Sequence, residues 1–590
     1  MKNKLFCALI ASITSIFLIT GLCGCNTTSS TSISDSQNQA NINQNNNDDS
    51  EDATNSVNID NLGELTEKDK LTDYDSDDVA TITFSDSGIK STNNSVSISG
   101  NTATITKKGD YIITGTTNDG QLIIDSDKEK DVHLIMDNAS ITSKTSAPIY
   151  VKSADKVIIT LKDGTSNYLS DSKDFTYDNA ADKEPNATLF SKDSITINGE
   201  GELTVNANFN NGIQSKDHLK ILSGKITVNS KKDAIKGKDS LTITGGNISI
   251  TATGDGLDSD NSEENECGYV HITDGKLSIN SEGKGIKAAS LIYVEGGTID
   301  ITSTDDAINS SSDVQIDGGT LSIDTKDDAI HGDLNIIIND GSIDIINSYE
   351  GLESENIIVN EGTINISASD DGINVARAAS DTQSRNPMAS DSNCALTING
   401  GYVYINCEGD GLDSNGTVIM NDGIAIIEGP SYSANGALDY GISFTINGGI
   451  LIATGTSMMA ENVSESSAQC STLLSFSGNL TDAMISITDS SNNVIISFTS
   501  SKNWGSITFS TPEMIIGETY NVCANGTLTN STNIGANAYI DGTLSDGEIL
   551  GTYTQDSTVC GTGSGMSGGP GGGMGGGPGR PGGGPNDRPR

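Results

Sequence analysis

The chain has 590 residues and a formal charge of -46, from 33 Lys and Arg against 79 Asp and Glu. That balance excludes nucleic acid as a partner, because phosphate binding depends on Lys and Arg displacing counterions, and any polyanionic ligand would need divalent cations between it and the protein. Aromatic residues make up only 4% while Gly numbers 66, which argues against a Leu- and Phe-rich core and for repetitive β-structure built on small residues.

Lys2 and Lys4 precede an apolar run from Leu5 to Leu22, followed by Cys23, Gly24 and Cys25. This pattern predicts an export signal over residues 1–25. Leu22-Cys23-Gly24-Cys25 is similar to a bacterial lipobox, which makes Cys25 the expected lipidation site and places the protein outside the cell, held to the membrane by its lipid alone. Residues 26–78 are rich in Asn, Ser, Thr and Asp and poor in large apolar groups, so they read as a disordered tether. Residues 79–131 alternate apolar and polar positions without a longer repeat and predict an N-terminal β cap.

From 132 to 455 an internal repeat takes over. Its units include SLTITGGNISITATGDGLDS, LIYVEGGTIDITSTDDAINS, VQIDGGTLSIDTKDDAIHG and LTINGGYVYINCEGDGLDS. An acidic residue recurs before an [AG]-[IL] pair at Asp233, Asp255, Asp306, Asp328, Glu350, Asp371 and Asp410, with Lys284 in the same place of one unit. The uninterrupted steps are 22, 22, 22 and 21 residues, and insertions lie near Asn261–Cys267 and Arg377–Asn393. Apolar residues alternate with period two on both sides of a Gly-rich turn, as in Leu241 and Ile243, then Ile248 and Ile250, which means strands. A unit this short buries its apolar face only by stacking on a neighbour, so the fold class is all-β, a right-handed parallel β-helix with β caps at both ends. Residues 456–555 lose the period and read as antiparallel hairpins covering the second end. Residues 556–590, rich in Gly and Pro, read as a disordered tail.

Cys267, Cys394, Cys407, Cys470, Cys523 and Cys560 show no zinc-type spacing. Pairs such as Cys394 with Cys407 or Cys470 with Cys523 could form outside the cytoplasm, but buried free thiols suit Cys394 and Cys407 equally well.

Equivalent positions of adjacent coils lie about 4.8 Å apart, where two bare carboxylates repel by about 3 to 4 kcal/mol at an effective dielectric near 20. Two acidic columns therefore call for neutralisation, one through Glu350, Asp371 and Asp410, the other three places on through Glu353, Asn374, Asp413 and Asp439. Clustered oxygen ligands suit calcium. In the N-terminal coils Lys236, Lys284 and Lys287 occupy the same columns and can neutralise Asp233 or Asp255 without metal, while His331 reads as a solvent-facing turn residue.

KKGDYIITGTTNDGQLIID, VIITLKDGTSNYLSD, SASDDGINVA and NGALDYGISFTINGGILIATG, among other runs between residues 79 and 530, resemble a family of exported bacterial carbohydrate-binding proteins with a polysaccharide-lyase-like β-helix. The resemblance implies calcium on the helix exterior and noncatalytic binding of cellulose or acidic sugars such as polygalacturonate. Tyr402, Tyr404 and Tyr440, near the acidic C-terminal coils, are the expected sugar-stacking residues. A calcium-dependent pectate-lyase-like enzyme is the runner-up, and it would need a basic residue to remove a proton. Within the repeats only Arg377 and Arg385 could serve among the arginines. A surface adhesin or structural stalk is the third reading.

Overall fold

The computed structural model describes residues 57–563 except 60–61, 77–78, 178–180, 182, 378–389 and 433. The export signal, Cys25, most of the expected tether, Arg385 and the tail beyond Gly563 lie outside the described residues.

Three short strands make each coil. Ile235–Gly237, Ser240–Ile243 and Asn247–Ala252 pair in parallel with Leu257–Ser259, Tyr269–Ile272 and Lys276–Ser281 of the next coil, and so on through one sheet of 44 strands among the described residues. The chain is thus a parallel β-helix. The period-two pattern becomes apolar ladders on its axis: Ile226, Ile248, Leu277, Ile299, Leu321 and Ile343 stand in register and are fully buried. Each such side chain contributes roughly 1.5 to 3 kcal/mol of burial free energy. The turn between the second and third strands depends on glycine. Gly246 has φ +95°, a conformation that a side chain makes costly, and its equivalents Gly297 and Gly319 repeat it at +93° and +95°.

The coils begin earlier than the sequence pattern indicates. Ala80–Ser85 already pairs in parallel with Gly109–Thr117, and that strand with Val132–Thr142. Only the pairing of Lys90–Ser91 with Ala80–Ser85 and of Val96–Ser99 with Thr102–Ile105 is antiparallel. The segment taken as a cap is therefore part helix and part cap, with Ile82 and Phe84 in the core.

The end of the polar stretch also differs from expectation, because residues 62–76 form a strap on the outside of the coils rather than a free tether. Asp69 is fully buried there. Its carboxylate accepts hydrogen bonds from Lys156 Nζ at 2.7 Å and Thr196 Oγ1 at 2.5 Å, while Asn198 Nδ2 donates to the backbone oxygens of Asp69 and Leu71. Val57 and Leu62 pack against Tyr269, Leu291 and Tyr293.

At the far end Trp504–Ser510 pairs antiparallel with the last long strand, Ile450–Gly455, and with Ser471–Leu480. A separate six-stranded antiparallel sheet follows. Its core, around Phe498, Trp504 and Phe509, includes Ile426 and Ile452 from the outward side of the last coils. The C-terminal region therefore caps the end and also covers an outer face. The six cysteines from Cys267 to Cys560 are free thiols, and Cys394 and Cys407 are buried in the axial core.

Candidate functional site

The two acidic columns run side by side along one edge of the helix. In the first, aspartates serve the coil that follows: Oδ1 of Asp233 accepts from the Asp255 N–H at 3.3 Å, Asp306 from Asp328 at 3.2 Å, Asp328 from Glu350 at 3.3 Å, and Asp371 from Asp410 at 2.6 Å. Lys284 has no acceptor, so the Asp306 N–H turns instead to Asp305 Oδ1. A structural duty thus underlies the column, whatever else it binds.

Charge compensation changes along the axis. Lys236 bonds Asp258 at 2.5 Å and also Asp260, so its partner is the next coil's acidic residue and not Asp233, which pairs with Lys232. Lys284 bonds Asp305 and Asp306, and Lys287 lies 3.5 Å from Asp255. His331 is not a solvent-facing turn residue. Its ring is mostly buried between Glu353 at 2.7 Å, Asp333 at 3.0 Å and Asp328 at 3.7 Å. Burial opposes a charge on it, but those three carboxylates outweigh burial and push its pKa up to about 12. His331 is therefore a fixed cation in the column.

Beyond His331 no lysine, arginine or histidine stands in these columns among the described residues. Register places Glu353, Asn374, Asp413 and Asp439 in one line, and oxygens of Asp371, Asp410 and Asp413 lie within 4.8 Å of one another. Burial, then repulsion from Asp371, Asp410, Asp439 and Asp370, pushes Asp413 up to about 7. Burial likewise lifts Asp371 to about 7 and Asp410 to about 6, although each accepts a backbone N–H that favours its charge. Two of the expected ligands are drawn elsewhere: Glu353 faces His331, and Glu350 accepts from Asn374 Nδ2 at 2.9 Å. Asp370 and Glu461 were not legible as members. Asp370 adjoins Asp371, and Glu461, whose carboxyl is raised by partial burial and then by Asp439 and Asp410, lies outside the repeat altogether.

The tyrosines expected to stack sugar are engaged in packing. Tyr402 and Tyr404 pack against the C-terminal core, and the Tyr404 hydroxyl donates to Glu428 at 2.8 Å. Tyr440 donates to the Asn462 carbonyl at 2.8 Å and meets Phe444 edge-on. Arg377 is held by Glu355 at 2.9 Å and lies 3.8 Å from Asp391.

Stacked coils with an acidic outer edge define a parallel β-helix. Residues 99–351 match the profile of the carbohydrate-binding domain-containing proteins. A carbohydrate-binding domain-containing protein of Acetivibrio thermocellus is 46% identical over 152 residues, which are 26% of this chain and 53% of that protein. The chain thus spans about half the length of this relative. The solved structure of the polysaccharide lyase-like protein from C. thermocellum, as a gadolinium derivative, is 42% identical, over 42% of this chain and 91% of that one, with a TM-score of 0.37. The profile match ends at Gly351, before Asp371.

Proposed function

We propose that this chain is an exported, noncatalytic polysaccharide-binding protein, anchored through a lipid on Cys25, and that calcium held by Asp371, Asp410 and Asp413 bridges it to acidic polysaccharide. The observation that carries the reading is a cluster that no cation among the described residues compensates: upstream coils hold Lys236, Lys284 or His331 in these columns, whereas Asp413 is acted on by other carboxylates. The donors fit the ion. Calcium takes six to eight oxygens at about 2.3 to 2.6 Å, so two of its ligands can stand up to about 5 Å apart, and the three carboxylates meet that spacing. Asp439 stands next in line. Glu350 and Glu353 fit less well, since Asn374 and His331 already use them. Bound calcium would supply positive charge on a surface that otherwise repels uronates.

Binding is favoured over lyase chemistry because Arg377, the described arginine of the repeats, is tied into ion pairs with Glu355 and Asp391. Polygalacturonate pull-down tests the reading. Retention in calcium, release by chelator and no unsaturated ends on the polymer are expected, whereas retention indifferent to chelator would reject the calcium bridge. Equal retention of cellulose with or without calcium would move the sugar contact away from the carboxylates.

A further inference from the structure

The strands of the longest ladder end on small inward residues. Ala207, Ser230, Ala252, Ser281 and Ser303 stack in register, and farther along Ser348 meets Ala368. All are buried, while the rows on either side, such as Asn229 and Thr251 before the column and Lys231 and Thr253 after it, are exposed. Short side chains at the bend leave the two outer rows standing as the walls of a trough. Two recesses mark it, one of about 460 Å³ between Tyr168 and Glu282 and one of about 510 Å³ between Thr325 and Glu408. They lie on the same row of the helix, since the wall register runs from Asn229 through Thr251, Asn280, Thr302 and Asp324 to Asn347. Five to six coils separate their centres, which is about 26 Å at about 4.8 Å per coil.

The walls have the chemistry of a sugar site. Each recess is lined by one lysine and one glutamate, Lys231 and Glu282 in the upper, Lys326 and Glu408 in the lower, where Lys502 also holds Glu408 at 3.0 Å; the rest of the lining is largely amides, hydroxyls and alanines, so it carries little of the charge that repels a uronate elsewhere. The upper recess adds a half-buried aromatic ring, Tyr168, whose hydroxyl accepts from Asn206 Nδ2 at 3.0 Å. The lower recess runs into the carboxylate cluster, because its wall residues Ser369 and Glu408 stand two positions before Asp371 and Asp410.

We infer that a linear polyuronate lies along the helix axis in this trough, its carboxylates meeting the calcium at the lower rim and its hydroxyls the amide walls, with one sugar ring on Tyr168. The inference rests on the carbohydrate reading above and adds the path of the chain. Occupying both recesses makes the second contact intramolecular, so affinity should climb steeply once a chain is long enough to span them.

Thr251→Trp and Ser367→Trp, both at exposed wall positions, block the upper and lower recess respectively, and melting curves check that each variant folds. Calorimetry with size-graded oligogalacturonates in calcium reads the outcome. Long chains should lose roughly tenfold in affinity with either block and more with both, while short oligomers should be sensitive to Ser367→Trp alone. Long chains that bind both folded variants as tightly as the unaltered protein, yet are still released by chelator, would overturn the trough and leave the calcium bridge standing. Failure of the unaltered protein to bind any polyuronate would overturn both.

Discussion

Removing one carboxylate from the cluster tests its electrostatics directly. In calcium-free protein Asp371 is pushed up from 3.8 to about 7, first by burial and then, against the Asp410 N–H, by neighbouring carboxylates. A carboxyl raised in this way binds its proton more tightly in the folded state, so stability is unaffected below about pH 4 and falls as pH rises toward about 7. A rise of that size corresponds to about 4 kcal/mol. Coulomb's law gives a similar figure: carboxylate oxygens no more than 4.8 Å apart repel by about 3.5 kcal/mol or more at an effective dielectric of 20. Asparagine keeps an acceptor for the Asp410 N–H, which lies 2.6 Å from Asp371 Oδ1. Asp371→Asn should therefore stabilise chelator-treated protein by roughly 2 to 4 kcal/mol near about pH 8, and far less near about pH 4. Calcium should stabilise the unaltered protein near about pH 8 and the variant much less. Denaturant titrations at both pH values, with calcium and with chelator, measure these differences. A variant less stable than its parent in chelator at the higher pH, or a difference that ignores pH, would refute the account.

His331→Gln should cost roughly 3 to 5 kcal/mol by stranding Asp328 and Glu353, while His331→Lys should lose much less. Because the folded pKa is raised to about 12, the histidine's contribution is complete below about pH 6.5 and declines as pH rises above it, which denaturation across that range would show. Asp69→Ala should release the strap, seen as rapid proteolysis between residues 62 and 76 with the coils still intact. Tyr404→Ala should lower the melting temperature of the C-terminal region without changing polygalacturonate retention per folded molecule, and a selective loss of retention would restore that tyrosine to the sugar site.

The fold was legible because a 22-residue step and a period of two leave few ways to bury Ile248 and Leu277 except in a stacked ladder. The first coils were hidden since the segment around Ala80 lacks the Gly-Gly turn and acidic bend that mark later units. The strap was hidden for another reason: its composition is polar, and Asp69 finds its partners some 87 to 127 residues away. At the site, spacing alone put Asp371, Asp410 and Asp413 together, but it could not tell that Lys236 reaches forward to Asp258 or that three carboxylates surround His331. Such pairings depend on which way a side chain leans, and a repeat fixes only its row. The packing of Tyr402 and Tyr404 was hidden because outward residues of a coil read as exposed until the C-terminal sheet covers them.

The relay in the first acidic column bears on how such a molecule can change length. Each aspartate leaves an acceptor aimed at the backbone N–H of its successor, and each successor brings both the donor and a fresh acceptor. A duplicated 22-residue unit inserted within the column would meet a partner below and offer one above, with neither terminus altered. Growth by whole coils is therefore nearly free of local penalty, whereas a unit bearing lysine in that position, as Lys284 does, must find its own remedy in a neighbouring residue such as Asp305. The helix is in this sense extensible by copying, and its acidic edge would lengthen with it in steps of one coil.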